Sequence, residues 1–262
     1  MASALVILTG VLGLAIGSFL NVVIHRVPRA ESLLRPGSHC PRCDTPIKAW
    51  HNVPVLGWLV LRGRCAACAE PISARYPLVE AATALLFMAV TARFGFSWEL
   101  PAYLYLSAIA IALAMIDIDV RRLPNAIVLP SYLVGAALLA PAVIVTGDLW
   151  AAARGLLAMA VLWSFYLLLG LLYPGGMGFG DVKLAGLLGL FLGFLGWGPV
   201  LVGAFAGFLL GGLAGGLMLA TRRANRRTAI PFGPYMLAGA LVAVFAAAPV
   251  AQWYTALLTP TL

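Results

Sequence analysis

Residues 100–119 read LPAYLYLSAIAIALAMIDID, and no charge interrupts this run before Asp117. A helix needs about 20 mostly apolar residues to cross the hydrocarbon core of a bilayer. Comparable apolar stretches cover about 3–24, 78–96, 126–147, 149–173, 181–197, 199–221 and 233–258. The sequence therefore predicts an all-α polytopic membrane protein with about eight transmembrane helices. The stretch 181–197 is short and rich in glycine, so we expect that helix to be buried inside the bundle.

The composition excludes other classes of protein. Apolar residues make up 63% of the 262 residues and charged residues only 10%, whereas a soluble domain carries about 25% charged residues. Disordered chains are poor in apolar residues. A soluble globule and a disordered chain are therefore both excluded. The net charge of +8 would suit a nucleic acid, but the basic residues lie beside the apolar runs. We expect the partner to be a lipid bilayer and not nucleic acid.

The positions of lysine and arginine predict how the chain is oriented. Cytoplasmic loops carry an excess of these residues, and most of them fall in 26–77, at Arg121 and Arg122, at Lys183 and in 222–227. If both termini lie outside, eight alternating helices place all of these groups inside. Only two basic residues, Arg93 and Arg154, then lie outside. The prediction is a chain with both ends outside and its polar insert on the cytoplasmic side.

One polar, proline-rich insert interrupts the apolar pattern and divides the chain. We predict a first transmembrane helix over 1–25, a cytoplasmic module over 26–77 and a seven-helix transmembrane core over 78–262. The module carries two C-x-x-C pairs, formed by Cys40, Cys43, Cys65 and Cys68. Two such pairs at this separation are typical of a structural zinc site with four sulfur ligands.

The cysteines have other possible uses. Two disulfides or free thiols would fit the same residues, although a reducing cytoplasm disfavours disulfides. His39 and His51 lie nearby as rival metal ligands, but four sulfurs already complete a tetrahedron. A small module has too little core to fold alone, and a metal ion supplies the missing stability. Zinc held by the four cysteines is the prediction.

Acidic side chains inside membrane helices are costly and indicate function. Asp117 ends one predicted helix, and Asp181 begins another after the glycine-rich run 175–180. The predicted orientation brings both to the same leaflet. Asp119 lies beside Arg121 and Arg122 and has a simple explanation as their interfacial partner. Glu80 lies at the start of a helix close to Arg75, where an ion pair or a favourable helix dipole accounts for it.

Two converging carboxylates can share one proton and activate a water molecule, as aspartic proteases do. A helix N-terminus favours the charged form of Asp181, and a helix C-terminus disfavours that of Asp117. We therefore expect Asp181 to be the general base and Asp117 its protonated partner. Membrane acids also serve proton-coupled carriers, and they can be structural in an assembly subunit. The residues alone leave these three alternatives open.

Several motifs in this order resemble those of the type IV prepilin peptidases, which are membrane aspartic proteases that also methylate the new N-terminus. The motifs are Gly17-Ser18-Phe19-Leu20-Asn21 with Arg26 and Pro28, the paired C-x-x-C insert, Tyr76-Pro77-Leu78-Val79-Glu80, Asp117-Ile118-Asp119 before Leu123-Pro124-Asn125, Gly178-Phe179-Gly180-Asp181 with Lys183, and Ile230-Pro231-Phe232-Gly233-Pro234. The resemblance implies that Asp117 and Asp181 are catalytic, and it does not match Asp119 to an essential position. It also implies a location in the bacterial inner membrane. The implied substrates are type IV prepilins or pseudopilins, cleaved after a short basic leader at the cytoplasmic face.

The resemblance further implies N-methylation with S-adenosylmethionine as methyl donor. No strand followed by G-x-G-x-x-G and a helix occurs in the chain, so a Rossmann methyltransferase is excluded. The insert and its junction with the first helix form the only sizeable polar surface, and we place the methyl donor there. Asn21 at this junction either contacts the donor or hydrogen-bonds a neighbouring helix. A glycine stripe at 203, 207, 211 and 215 serves either substrate-helix binding or internal helix packing.

Overall fold

The structure, a computed structural model, describes residues 2–173, 177–221 and 231–258, with the side chains of 2 and 247–258 left out. Nine α-helices occur in these ranges: α1 Ala2–Arg26, α2 Leu56–Val60, α3 Arg75–Phe94, α4 Leu100–Val120, α5 Asn125–Thr146, α6 Leu149–Leu172, α7 Phe179–Leu195, α8 Trp197–Ala220 and α9 Gly233–Leu258. The basic cluster at 222–227, Gly175, Gly176 and Ile230 lie outside the described residues.

The prediction of an all-helical membrane protein is confirmed. No β-strand occurs among the described residues, and six of their helices are long and apolar enough to cross a membrane. These six are α1, α3, α4, α5, α6 and α8. The predicted count of eight spans is not confirmed, because α7 has only 17 residues and the described side chains of α9 form a shorter apolar stretch, Gly233–Ala246.

The chain divides into two compact units, residues 1–112 and 113–262, with the boundary inside α4. In the first unit, α1 packs along α3. A side chain at Gly17 would lie 2.7 Å from the Cα of Glu80, so only glycine permits this close approach. Between these two helices the polar insert forms two short 3₁₀ helices, at Val27–Arg29 and Ala49–Asn52, and the five-residue helix α2.

In the second unit, α7 is the central helix. It packs against α5, α6, α8 and α9, and every residue from Leu184 to Phe194 is buried. This agrees with the expectation that the short helix is buried inside the bundle. Arg154 of α6 fixes the far end of α7, because its guanidinium donates hydrogen bonds of 2.7 Å to the backbone oxygens of Gly193 and Phe194.

The glycine stripe on α8 serves internal packing at three of its positions, Gly203, Gly207 and Gly211. A side chain at Gly203 would meet Leu192 and Ala243, and one at Gly207 would lie 3.3 Å from the Cα of Met236. The stripe therefore lets α9 approach α8 closely, which is the ordinary use of small residues between membrane helices.

Candidate active site

Asp117 lies in the last turn of α4 and is buried, with 5% of its surface exposed. Its Oδ2 accepts a hydrogen bond of 3.1 Å from the backbone N–H of Gly233. Gly233 is the first residue of α9. A carboxylate is thus held against the N-terminal end of a helix that lies 116 residues further along the chain.

Asp181 lies in the first turn of α7 and is half-buried. Its Oδ2 accepts a hydrogen bond of 3.0 Å from the N–H of Gly178, and its own N–H donates to the oxygen of Gly178 at 3.0 Å. This reciprocal pair is a capping interaction that fixes the carboxylate at the start of the helix.

The structure brings Asp117 and Asp181 into one region of the second unit. Their charges interact, and one side chain, that of Leu123, lies beside Gly180, the neighbour of Asp181, and beside Gly233, which donates a hydrogen bond to Asp117. A Cβ added at Gly180 would be 3.2 Å from Leu123 Cβ, and one added at Gly233 would be 3.3 Å from Leu123 Cδ2. Asp117 and Asp181, although distant in the sequence, therefore lie near the same leucine side chain and close enough for their charges to interact.

Sequence reasoning missed the partner of Asp117. Its expected protonation rested on its place at the C-terminal end of α4, yet the structure also sets it against the N-terminal end of α9. A helix N-terminus favours an anion, so both carboxylates receive such stabilisation. The dipole argument therefore does not distinguish the two acids. The motif around Gly233 was the available signal, because it accompanies the two aspartate motifs in the resemblance.

The other two acids differ from the pair. Asp119 is exposed at the end of α4. Glu80 is buried, with 8% of its surface exposed, and its Oε2 accepts a hydrogen bond of 2.7 Å from the N–H of Val55. The sequence analysis does not foresee this contact for Glu80: the insert folds over the start of α3 and covers the carboxylate.

The four cysteines form one cluster, and their sulfur atoms all lie within 4.8 Å of one another. Two pairs of these atoms, Cys40 with Cys68 and Cys43 with Cys65, are 3.8 and 4.0 Å apart. Metal–sulfur bonds of about 2.3 Å in a tetrahedron place the sulfurs about 3.8 Å apart. The cluster has the spacing of a four-sulfur metal site, and neither His39 nor His51 belongs to it.

Two copies of one turn build this cluster. In the first, the N–H of Cys40 donates to Thr45 and the N–H of Asp44 donates to Cys40; in the second, Cys65 and Ala69 make the matching bonds. Asp44 and Ala69 both have left-handed backbone, with φ of 54° and 59°. Each turn aims two sulfurs at one point. An ion pair of 3.3 Å between Arg42 and Glu70 joins the turns.

The turns also tune the thiols. Hydrogen bonds with the side chain and backbone of Thr45 lower the pKa of Cys43 to about 6, and the N–H groups of Cys68 and Ala67 lower the pKa of Cys65. A hydrogen bond with the Glu70 backbone lowers the pKa of Cys68, but desolvation and the neighbouring thiols outweigh it and raise that pKa to about 12. The cluster favours thiolates, yet without a cation it resists carrying all four negative charges.

The first unit contains an open cavity of about 1000 Å³ between the insert and the adjoining ends of α1 and α3. Its lining includes Ser18, Asn21 and His25 of α1, and Glu80 of α3. Asn21 donates a hydrogen bond of 3.2 Å to the oxygen of Tyr76. Its amide therefore joins α1 to α3 and also borders the cavity, so both uses predicted for this residue stay compatible with the structure.

Comparison with known proteins assigns the family. The family model of the bacterial peptidase A24 N-terminal domain matches residues 11–94. The family model of the type IV leader peptidase family matches residues 104–258. The chain belongs to the type IV leader peptidase family. The resemblance seen in the sequence motifs is thereby confirmed.

Full-length relatives agree with this assignment. The chain is 39% identical to a protein of Stutzerimonas stutzeri named prepilin leader peptidase/N-methyltransferase, over 92% of this chain and 90% of the relative. A protein of the same name from Pseudomonas aeruginosa is 36% identical with the same coverage. One from Neisseria gonorrhoeae is 38% identical over 71% of this chain and 73% of the relative. No solved structure matches the chain.

Proposed function

We propose that this protein is an intramembrane aspartic endopeptidase that removes the short basic leader from type IV prepilins and pseudopilins. The observation that carries this proposal is the convergence of Asp117 and Asp181, each held by a backbone N–H at a helix N-terminus. Membership of the leader peptidase family supports the substrate class, and the name shared by its relatives supports both cleavage and N-methylation.

The carboxylate pair supplies general acid–base catalysis. The charged carboxylate takes a proton from a water molecule, whose oxygen attacks the scissile carbonyl carbon, while the protonated partner donates to the carbonyl oxygen. We keep Asp181 as the base and Asp117 as its protonated partner, as the sequence predicts; the hydrogen bonds from Gly178 and Gly233 stabilise both anions alike and do not decide the assignment. Collapse of the tetrahedral intermediate then breaks the C–N bond, and the leaving amine receives a proton.

The position of the cut follows from the predicted orientation. A multi-pass protein of this family belongs in the bacterial inner membrane. Both aspartates lie at the helix ends that the distribution of Lys and Arg assigns to the cytoplasm. We therefore place the active site and the four-cysteine module on the cytoplasmic side and both termini outside, where the basic leader of a membrane-anchored prepilin meets the carboxylates.

The same protein methylates the new N-terminus, and S-adenosylmethionine supplies the methyl group. The cavity of the first unit fits a donor of this size and polarity, because it has room for a nucleoside and presents an amide, an imidazole and a carboxylate. The polar junction predicted from the sequence is the same region. We assign methyl transfer to residues 1–112 and proteolysis to residues 113–262.

We assign zinc to the four cysteines. Cys40, Cys43, Cys65 and Cys68 offer four sulfurs at tetrahedral spacing, and zinc is the usual ion for such a set. The ion would have a structural role, since four protein ligands leave no open position for a substrate or a water molecule.

One experiment tests both activities. A candidate prepilin is co-expressed with this protein, and the N-terminus of the recovered pilin is analysed by mass spectrometry. We expect loss of the leader and a gain of one methyl group. An intact leader with every candidate prepilin would contradict the proposal. A proton-coupled carrier would leave the leader intact and would show pH-driven uptake in vesicles.

Replacing Gly233 with Ala tests the geometry around Asp117. The added Cβ would lie 2.7 Å from Asp117 Oδ2, which is shorter than van der Waals contact, so the carboxylate must move. Because misplacement of about 1 Å in an active site costs about 100-fold, we expect leader cleavage to fall by about 10- to 100-fold. The measurement is the cleavage rate of a purified prepilin in detergent.

Gly212→Ala is the matched control, because a Cβ there meets nothing within 4 Å. We expect it to cleave at the wild-type rate. Equal rates for both variants would show that the contact between Gly233 and Asp117 does not position the carboxylate.

A further inference from the structure

Glu80 is the buried carboxylate that the proposed proteolysis does not use. It lies in the second turn of α3, in the first unit, and it lines the cavity to which we assign methyl transfer. Two other acids, Glu31 and Glu70, also line this cavity, but neither is buried. Glu80 is therefore the one acid in the described lining that is withdrawn from bulk water, where a carboxylate needs a partner.

The hydrogen bond from Val55 does not explain why position 80 carries a carboxylate and not a neutral amide. Oε2 accepts the N–H of Val55 at 2.7 Å, and Val55 has a φ of +61°, which a β-branched residue rarely adopts. This bond steadies a strained turn at the start of α2. A neutral glutamine would accept the same N–H equally well. No described residue donates a hydrogen bond to the second oxygen, Oε1.

The lining of the cavity is otherwise rich in cationic and imidazole groups, at His25, Arg26, Arg35, Lys48 and His51. The Arg26 guanidinium is already engaged with the backbone oxygens of Ser32 and Pro36, at 2.9 and 2.7 Å. An incoming ammonium or amine is therefore attracted to one buried place in this lining, the Glu80 carboxylate.

The position of Glu80 on a membrane helix indicates which substrate it contacts. It is carried by α3, a helix long and apolar enough to cross the membrane, whereas the opposite wall of the cavity is made by the polar insert. The amine to be methylated ends a membrane-anchored helix and arrives from the side of the membrane helices. The methyl donor is soluble and arrives from water, on the side of the insert.

We propose that Glu80 Oε1 accepts a hydrogen bond from the α-amino group of the cleaved pilin and directs its lone pair at the methyl donor. This inference rests on the methyl transfer proposed above. In the step, the amine nitrogen forms a bond to the methyl carbon as the carbon–sulfur bond breaks. The electron pair of that bond stays on sulfur, which becomes a neutral thioether. The proton displaced from nitrogen passes to Glu80 and then to water.

Glu80→Gln tests this assignment, because the amide keeps an acceptor for Val55 and removes only the negative charge. With a pre-cleaved pilin peptide as substrate, we expect kcat/KM for methylation to fall by about 10- to 100-fold, the range for losing a hydrogen bond to a charged group. We expect leader cleavage of the intact prepilin and the Kd for S-adenosylhomocysteine to stay within about twofold of wild type.

Binding without the methyl donor gives a second measurement. We expect Glu80→Gln to weaken binding of the pre-cleaved peptide by about 10-fold and to leave binding of the same peptide with an acetylated N-terminus unchanged, since that peptide has no amine to contact. Glu99→Gln, an equal change of charge outside the cavity lining, is the control and should match wild type in every assay.

The outcomes separate this inference from the function on which it rests. Wild-type protein that neither cleaves nor methylates would overturn the proposed function itself. With wild type active, unchanged methylation in Glu80→Gln would overturn the role of Glu80. A loss of S-adenosylhomocysteine binding would assign the carboxylate to the donor instead. An equal loss of leader cleavage and methylation would reduce Glu80 to a structural residue.

Discussion

Replacing either Asp117 or Asp181 with Asn lowers the rate of leader cleavage by about 10³-fold or more, the range seen when a residue of a catalytic pair is removed. The amide still offers an oxygen to the N–H of Gly233 or Gly178, so the fold is expected to persist. It cannot take a proton from water or return one to the substrate. The measurement is the rate of leader removal from purified prepilin, followed by mass spectrometry.

Asp119→Asn is the matched control for this prediction. It removes the same charge two residues from Asp117, but from an exposed position at the end of α4. We expect this variant to retain cleavage. Normal cleavage by Asp117→Asn or Asp181→Asn would falsify the catalytic pair, and equal loss in all three variants would point to a general effect of charge on the second unit.

The same two variants test the division of labour between the units. Methylation of a pre-cleaved pilin peptide requires no proteolysis, and we assign it to residues 1–112. We therefore expect Asp117→Asn and Asp181→Asn to methylate that peptide at the wild-type rate. A protein with a single shared active site would lose both activities together.

Local features of the sequence predicted most of the fold. Long apolar runs identify membrane helices because a bilayer core has a fixed thickness, and the run at 100–119 corresponds closely to α4. The two C-x-x-C pairs identified the sulfur cluster because a tight turn places such cysteines side by side. Both signals depend on neighbouring residues alone, so one sequence suffices to read them.

Contacts between distant segments were not predictable in the same way. The N–H of Gly233 reaches Asp117 only after α9 has packed into the second unit. Glu80 looked interfacial because its sequence neighbours are Arg75 and Tyr76, yet Val55, 25 residues earlier, covers it. Hydropathy predicts which residues lie within the membrane. It does not predict which backbone N–H group will donate a hydrogen bond to a given carboxylate.

The helix α7 shows how burial inside a bundle can be predicted from sequence. The stretch 181–197 is short and rich in glycine, and α7 has 17 residues and is buried by its neighbours along nearly its whole length. A helix surrounded by protein need not match the thickness of the bilayer, because its side chains contact other helices and not lipid. Its low exposure suits a helix that must hold the carboxylate of Asp181 in a fixed position at one end.

Removal of the metal is expected to unfold the cysteine module. Among residues 31–74 only Cys40, Gly57 and Gly63 are buried, so this segment has almost no hydrophobic core. Structural zinc contributes about 10–16 kcal/mol of apparent binding free energy in small metal-dependent folds, which is as large as the whole stability of many ordinary domains, about 5–15 kcal/mol. Without the ion, nothing of comparable size remains to hold the two turns together.

We therefore expect Cys40→Ser to abolish zinc binding and to raise the rate of hydrogen exchange across 38–73 to that of an open chain. We also expect it to reduce methylation more than cleavage, because Cys40 and Cys65 line the cavity of the first unit. Elemental analysis of the purified wild type should give one zinc ion per chain. His51→Ala, which alters a histidine outside the sulfur cluster, should retain that ion. Wild-type protein that contains no zinc, or a Cys40→Ser module that keeps its protection from exchange, would show that the four sulfurs are held together by the chain alone.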